Sequence, residues 1–170
     1  MLLDRLLGRL QKIGSGSFSS VYDTNDGLVM KVPIKYDHRG DAQFLPLAQR
    51  MKVAKSIVVC TSWLHEKMGD VIVPVFLGAG GTIRQEKVVG VNYWDLPDNR
   101  QKAVNDKIDE IILRALDLAE RVPFEVGYID SSHQNFMIDR NENVLWFDPW
   151  TPPDDSGPMC DNTHPKRKSW

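Results

Sequence analysis

Cysteine, unbroken apolar runs and charge of a single sign are all scarce in this sequence, and each shortage excludes a class of protein. Two cysteines, Cys60 and Cys160, cannot make a disulfide framework. Cys60 lies in an apolar run and reads as a small buried hydrophobe. Cys160 has His164 nearby, but two ligands are too few for a zinc site. No stretch reaches the roughly 18 apolar residues that mark a membrane helix, so no membrane partner is expected. The opening Met1-Leu2-Leu3-Asp4-Arg5-Leu6-Leu7 has charges inside its apolar stretch and does not resemble a signal peptide. A cytoplasmic location is expected. The net charge of −2 gives no reason to expect a nucleic-acid partner bound through its phosphates. The basic cluster Lys166-Arg167-Lys168 reads as a solvated end. What remains is ordinary globular material: 170 residues, 42% apolar and 26% charged, enough for one domain or a compact two-lobed unit.

The pattern along the chain predicts three strands, a helix, two strands, a long helix and a small hairpin. Leu2, Leu3, Leu6, Leu7 and Leu10 recur at helical spacing and predict a short opening helix. A strand, a glycine-rich turn at residues 14–16 and a second strand around 18–22 follow. Thr24-Asn25-Asp26-Gly27 is a strong hairpin signal, and residues 28–32 read as the third strand of an antiparallel meander. Residues 42–67 have helical periodicity, with Leu47, Met51, Ala54 and Val58 on one face; Pro46 marks an early turn of that helix or a break before it. Residues 71–77 and 82–89 read as two strands joined by Gly78-Ala79-Gly80-Gly81. A long helix over 98–121 has the stripe Val104, Ile108, Ile111, Ile112, Ala115 and Ala119, and Asp98 with Gln101 resembles a capping box. Short strands at 136–138 and 144–147 flank a polar turn, and the stretch from Pro152 is expected to lack regular structure.

Three constellations are able to carry chemistry. In Ile13-Gly14-Ser15-Gly16-Ser17-Phe18-Ser19-Ser20-Val21, glycines would let backbone N–H groups approach phosphate oxygens. A plain hairpin turn is the simpler alternative. Lys31 sits inside the apolar strand Leu28-Val29-Met30-Lys31-Val32, where burial is costly without a negative partner. A lysine on the solvent face of an edge strand is its alternative. Finally, Asp130, Asn135 and Asp148 stand at the edges of the small hairpin. Asn135 and Asp148 could offer hard oxygen ligands to Mg²⁺, and Asp130 could take a proton from an attacking hydroxyl. Turn-forming Asp and Asn that merely cap a hairpin are the competing reading.

Taken in this order, the three constellations resemble the protein-kinase superfamily over about residues 10–150. That family has a glycine-rich strand-turn-strand, a lysine on the third strand, a helix glutamate and an Asp-x-x-x-x-Asn loop, with a metal-binding Asp thirteen residues after the Asn. Asp130 to Asn135 has the first spacing, and Asn135 to Asp148 is thirteen. The Gly-x-Gly-x-Phe-Ser opening, and Asp-Pro where Asp-Phe-Gly is usual, look like the early serine/threonine kinases of T7-type phages or minimal bacterial-effector kinases. The resemblance implies an α+β, two-lobed fold: a five-stranded antiparallel upper lobe over residues 1–88, and a truncated helical lower lobe over 89–170. It implies ATP and Mg²⁺ as cofactors, with Gly14, Ser15, Gly16 and Ser17 over the phosphates and Lys31 on the α/β-phosphates. Glu66 would pair with Lys31, being the only acid between Asp41 and Asp70. Val21 and Met137 would sandwich adenine, the backbone of Glu86 to Val88 would meet its edge, and Gln85 would take the gatekeeper position. Asp130 would be the base, and Asn135 and Asp148 the metal ligands. The implied activity is transfer to serine or threonine of a host protein, in the host cytosol, or of the chain itself.

Departures leave a second class open, a weak or inactive module that binds and inhibits a host protein. Ser19 replaces the third glycine, Ile129 the arginine before the catalytic Asp, and Ser132 the usual lysine. Small-molecule phosphorylation is a third reading.

Overall fold

The upper half folds as a meander because its alternation and its turn residues agree. The computed structural model describes residues 5, 7–36, 39–121 and 128–151. β1 (Gln11–Ser15) and β2 (Ser19–Asp23) enclose the glycine turn, and β3 (Leu28–Tyr36) follows the second turn. There Asn25 and Gly27 take φ of 60° and 80°, which asparagine and glycine tolerate best. The Asp26 carboxylate accepts from the Thr24 hydroxyl and the Leu28 N–H, closing the turn. Most of the opening leucine stripe and the tail from Pro152 lie outside the described residues. Leu7 is described, and is buried against Tyr22, Met30 and Val32 on one face of the sheet.

Two more strands, β5 (Val75–Gly78) and β6 (Thr82–Glu86), complete the antiparallel order β1-β2-β3-β6-β5. These are the five strands expected. β3 overhangs them, and its end at Ile34–Tyr36 pairs with a sixth strand, β4 (Ala42–Phe44). Residues 42–44 therefore do not begin the helix as their periodicity suggested, because their backbone groups pair with β3 instead. Helix α1 runs Leu47–Met68 behind Pro46, whose extended ψ of 148° breaks the chain in front of it.

α1 also presents a different face from the one the stripe predicts. Leu47 is exposed, Met51 and Val58 are half-buried, and the buried positions are Val53, Ala54, Cys60, Thr61, Leu64 and Met68. The cause is that α1 packs on two surfaces in succession. Ala54 clusters with Val75 and Ile83 of the sheet, whereas Cys60, Leu64 and Met68 enter the core of the lower half. Burial pushes the Cys60 thiol up to about 11, against a weaker opposing hydrogen bond from Ser56.

The lower half is built on α2 (Asp98–Ala119), which buries Ile108, Ile111, Ile112 and Ala115 as its stripe predicts. Its cap differs. Pro97 occupies the cap, Asp98 is already helical, and the Gln101 amide donates back to the Leu96 carbonyl at 2.9 Å. A small sheet orders β10 (Val144–Trp146), β9 (Phe136–Ile138) and β7 (Val91–Asn92), and β8 (Tyr128–Ile129) pairs with β11 (Trp150–Thr151). Fully buried Phe136 and Trp146 stack at 4.8 Å, and a side chain of that size contributes about 1.5–3 kcal/mol by burial. Ile72 bridges Trp146, and the Val73 N–H donates to the Trp146 carbonyl at 3.0 Å, so the segment after α1 stitches the two halves together. Among the described residues, no helix is long and apolar enough to cross a membrane.

Candidate active site

Strand register places the lysine. Val21, Lys31 and Ile83 lie opposite one another across β2, β3 and β6, and Val29 lies opposite Gln85. Side chains alternate along a strand, so Val21, Val29, Lys31, Ile83 and Gln85 share one face. Lys31 is only 5% exposed, and an ammonium so buried needs a negative partner. It finds the Asp148 carboxylate at 2.8 Å, donates weakly to the Phe147 carbonyl at 3.4 Å, and lies 5.4 Å from the centre of the Phe147 ring. The pair is asymmetric: the Asp148 side chain is 40% exposed, so its carboxylate keeps an accessible side.

Glu66 is not the partner of Lys31. Its side chain is 72% exposed and pairs with Lys67 at 3.0 Å. It lies in the last turns of α1, where Leu64 and Met68 take the packed positions and the helix has entered the lower core. The carboxylate that meets Lys31 comes from the opposite side of the site.

Backbone bonds lace the loop at 130–135 to the segment carrying Asp148. The Asp130 N–H donates to the Pro149 carbonyl at 2.9 Å, and the Phe147 N–H donates to the Asn135 carbonyl at 3.0 Å. Half-buried Asp130 accepts from the Ser132 N–H at 3.1 Å, a local turn that orients the carboxylate. From the other side, the Asn92 amide donates to the Gln134 carbonyl at 2.8 Å, and the Tyr93 ring lies 4.7 Å from that of His133. The β9–β10 turn is closed by Asp139, whose carboxyl is held below the usual range by the Asn143 side chain and by N–H groups of Asn143 and Asn141.

Asn135 and Asp148 fit a magnesium ion by donor type. Asn135 is 7% exposed, and its Nδ2 has no hydrogen-bond partner among the described residues. No group of three or more His, Cys, Asp or Glu side chains among the described residues could hold a metal alone. One amide oxygen and one carboxylate suit Mg²⁺, which takes few protein oxygens and completes its shell with water and substrate phosphates.

The glycine turn is open. A Cβ built on Gly16 would meet nothing within 4 Å, and one on Gly14 would only touch Val21 at 4.0 Å. Ser15 and Ser17 are exposed, and the turn is steadied by the Tyr36 hydroxyl donating to the Gly16 carbonyl at 3.0 Å. At the end of β6, Glu86 is exposed, and just beyond it Val88 is half-buried; Val21 and Met137 are half-buried on the sheet and on β9. Two features escaped sequence reasoning. A Cβ on Gly90 would lie 2.5 Å from the Ile138 carbonyl, so this glycine lets the crossing chain touch β9. The Gln85 amide donates to the Phe147 carbonyl at 2.6 Å, a contact between distant segments that no local pattern signals.

No family model matches the chain, and no curated protein matches it in sequence. Solved structures do match it. One is a Rio2 kinase–ADP/Mg²⁺–phosphoaspartate complex from Chaetomium thermophilum, with TM-score 0.51 and 15% identity, covering 86% of this chain and 50% of that one. Another is the streptomycin–ATP–APH(2")-IIa ternary complex, with TM-score 0.46 and 13% identity, covering 91% of this chain and 73% of that one. The Rio2 likeness establishes the class of fold, a protein-kinase-like arrangement of an antiparallel sheet with a lower half that, among the described residues, has one long helix and two small sheets. The chain spans half the length of that Rio2 kinase chain.

Proposed function

We propose that this chain is an ATP- and Mg²⁺-dependent phosphotransferase, a minimal serine/threonine protein kinase that acts on host protein and on itself. The observation that carries the reading is the Lys31–Asp148 pair, which brings the strand lysine and the carboxylate after the hairpin to 2.8 Å. The Rio2 structure, which shares the fold, holds ADP and Mg²⁺. The phage-kinase likeness of the Gly-x-Gly-x-Phe-Ser opening supports a protein acceptor. Exposed Trp94 and Tyr128, close in the chain or in space to the Asp130 loop, offer apolar surface to a polypeptide.

In this reading the metal, when bound, neutralises charge on the phosphate oxygens. Asn135 and Asp148 hold it. Lys31 turns from Asp148 towards the nucleotide phosphates and keeps its negative environment. The glycine turn contributes backbone N–H groups, Val21 and Met137 flank adenine, and the backbone of Glu86 to Val88 meets its edge. Asp130 orients the acceptor hydroxyl and takes its proton as the new oxygen–phosphorus bond forms and the bond to the β-phosphate oxygen breaks. Residues 1–88 and 89–170 act as the two lobes around this cleft. Ser132 supplies no charge to the transferring group, so the rate is expected to be low for a kinase.

A binding module without catalysis is the second reading, favoured by the mutual satisfaction of Lys31 and Asp148. Incubation with γ-labelled ATP, Mg²⁺ and a host-cell extract separates the two. Label on serine or threonine, lowered by about 10²–10⁴ in Asp130→Asn, is expected. No label, or label unchanged in that variant, sinks the kinase assignment.

A further inference from the structure

We propose that Gln85 is a positioning residue for the metal-binding carboxylate, fixing Asp148 through the Phe147 carbonyl. The inference rests on the phosphotransfer reading, in which Asp148 holds Mg²⁺.

Gln85 is 2% exposed, and its face of the sheet carries Val29, Val75 and Ile83, with Lys31 as its charged member. An amide so buried is costly unless it is hydrogen-bonded, so an apolar side chain would serve the sheet better. Its bond leaves the sheet and reaches the Phe147 carbonyl at 2.6 Å. Lys31 donates more weakly to that carbonyl, at 3.4 Å. On the other side of the same residue, the Phe147 N–H is held by the Asn135 carbonyl at 3.0 Å. Phe147 is thus held at both ends, by the upper sheet and by the lower loop, and Asp148 is the next residue. The helix that could have anchored Lys31 offers no carboxylate there, since Glu66 faces solvent. Gln85 supplies the fixed point instead. Groups that orient a metal-binding carboxylate govern how tightly the metal is held.

Gln85→Met keeps the side-chain length and removes the donor. Two measurements test it. In hydrogen exchange without nucleotide, peptides over 144–151 are expected to exchange faster while peptides over β6 stay unchanged. In ADP titrations, the Mg²⁺ concentration that half-saturates the metal-dependent gain in affinity is expected to rise roughly tenfold, with affinity in EDTA unchanged. Ile83→Val, which trims packing on the same strand and keeps the Gln85 donor, should leave both readouts at the wild-type values. If Gln85→Met does not fold, Gln85→Leu replaces it: it too removes the donor and adds no charge, and the same two changes are expected. Unchanged exchange over 144–151, or the same changes in Ile83→Val, would overturn the assignment. A wild type whose ADP affinity responds to Mg²⁺, matched by a variant that responds equally, overturns the role of Gln85 alone. A wild type whose ADP affinity ignores Mg²⁺ overturns the phosphotransfer reading and the metal role of Gln85 together.

Discussion

The two sides of the candidate cleft are built on opposite rules. On the side of Lys31 and Asp148, charge is buried, and buried charge must be tied: Lys31 has its carboxylate, and the Phe147 carbonyl has two donors. On the side of the glycine turn there is nothing to pay for, because Ser15, Gly16 and Ser17 are exposed and Gly16 has open space beside it. The difference teaches which parts of the proposed phosphate site are stiff. The buried charges are held by core partners, and the exposed turn is steadied only by surface hydrogen bonds such as that from the Tyr36 hydroxyl to the Gly16 carbonyl.

The largest effects should come from breaking the buried pair one partner at a time. Both Asp148→Ala and Lys31→Met are expected to abolish phosphoryl transfer, yet to differ in stability. Asp148→Ala strands a buried ammonium and should cost about 2 kcal/mol, below the value for a fully buried pair because Asp148 is partly solvated. Lys31→Met removes the buried charge and leaves Asp148 to water, so it should stay within about 1 kcal/mol of wild type. Denaturant melts check this, and equal losses would show that the pair is not asymmetric.

Two glycines sharpen the same contrast. Gly81 has φ of 72°, and a Cβ there would lie 2.8 Å from the backbone of Arg50, so Gly81→Ala should cost about 2–4 kcal/mol. Gly16→Ala meets open space and should change stability by less than about 0.5 kcal/mol, while ATP affinity falls several-fold. Thermal melts and ATP titrations of the two variants give the comparison directly.

A smaller effect concerns Cys60. Its folded-state pKa of about 11 lies above the unfolded value, so its contribution to stability is full below the unfolded pKa. That contribution is lost as pH rises from about 9 towards 11. At pH 8 the thiol should resist alkylation by iodoacetamide until the chain unfolds, read by mass spectrometry. The smallest effect is expected of Glu66→Ala: a change within about 0.5 kcal/mol and no loss of transfer, because the exposed Glu66–Lys67 pair is screened. A loss of transfer on the scale of Lys31→Met would restore Glu66 to the site.

Much of the fold was legible in the sequence where the signals are local. The Asn25–Gly27 turn, the β1-β2-β3 meander and the α2 stripe each follow from neighbours a few residues apart, whereas the pairing of β3 with β6 joins Leu28 to Glu86 from opposite ends of the upper half. The Asp130, Asn135 and Asp148 spacing was legible for the same reason, since a short hairpin joins all three. What escaped depends on where elements pack. β4 exists because β3 overhangs its neighbours. The buried face of α1 shifts because the helix serves two cores, and this also defeats the choice of Glu66, which rested on its being the only acid available. The resemblance placed Gln85 at the gatekeeper position, but its partner Phe147 lies on a distant segment and leaves no mark on the local pattern.

The most direct test of the account is the thermal stabilisation of the chain by ATP, with and without Mg²⁺, in wild type and Lys31→Met. A ligand held by the folded state raises its apparent stability. The account predicts a clear rise in Tm with ATP and Mg²⁺ together, a smaller one with ATP alone, and neither in Lys31→Met. No shift in the wild type, or an equal shift in the variant, would contradict it.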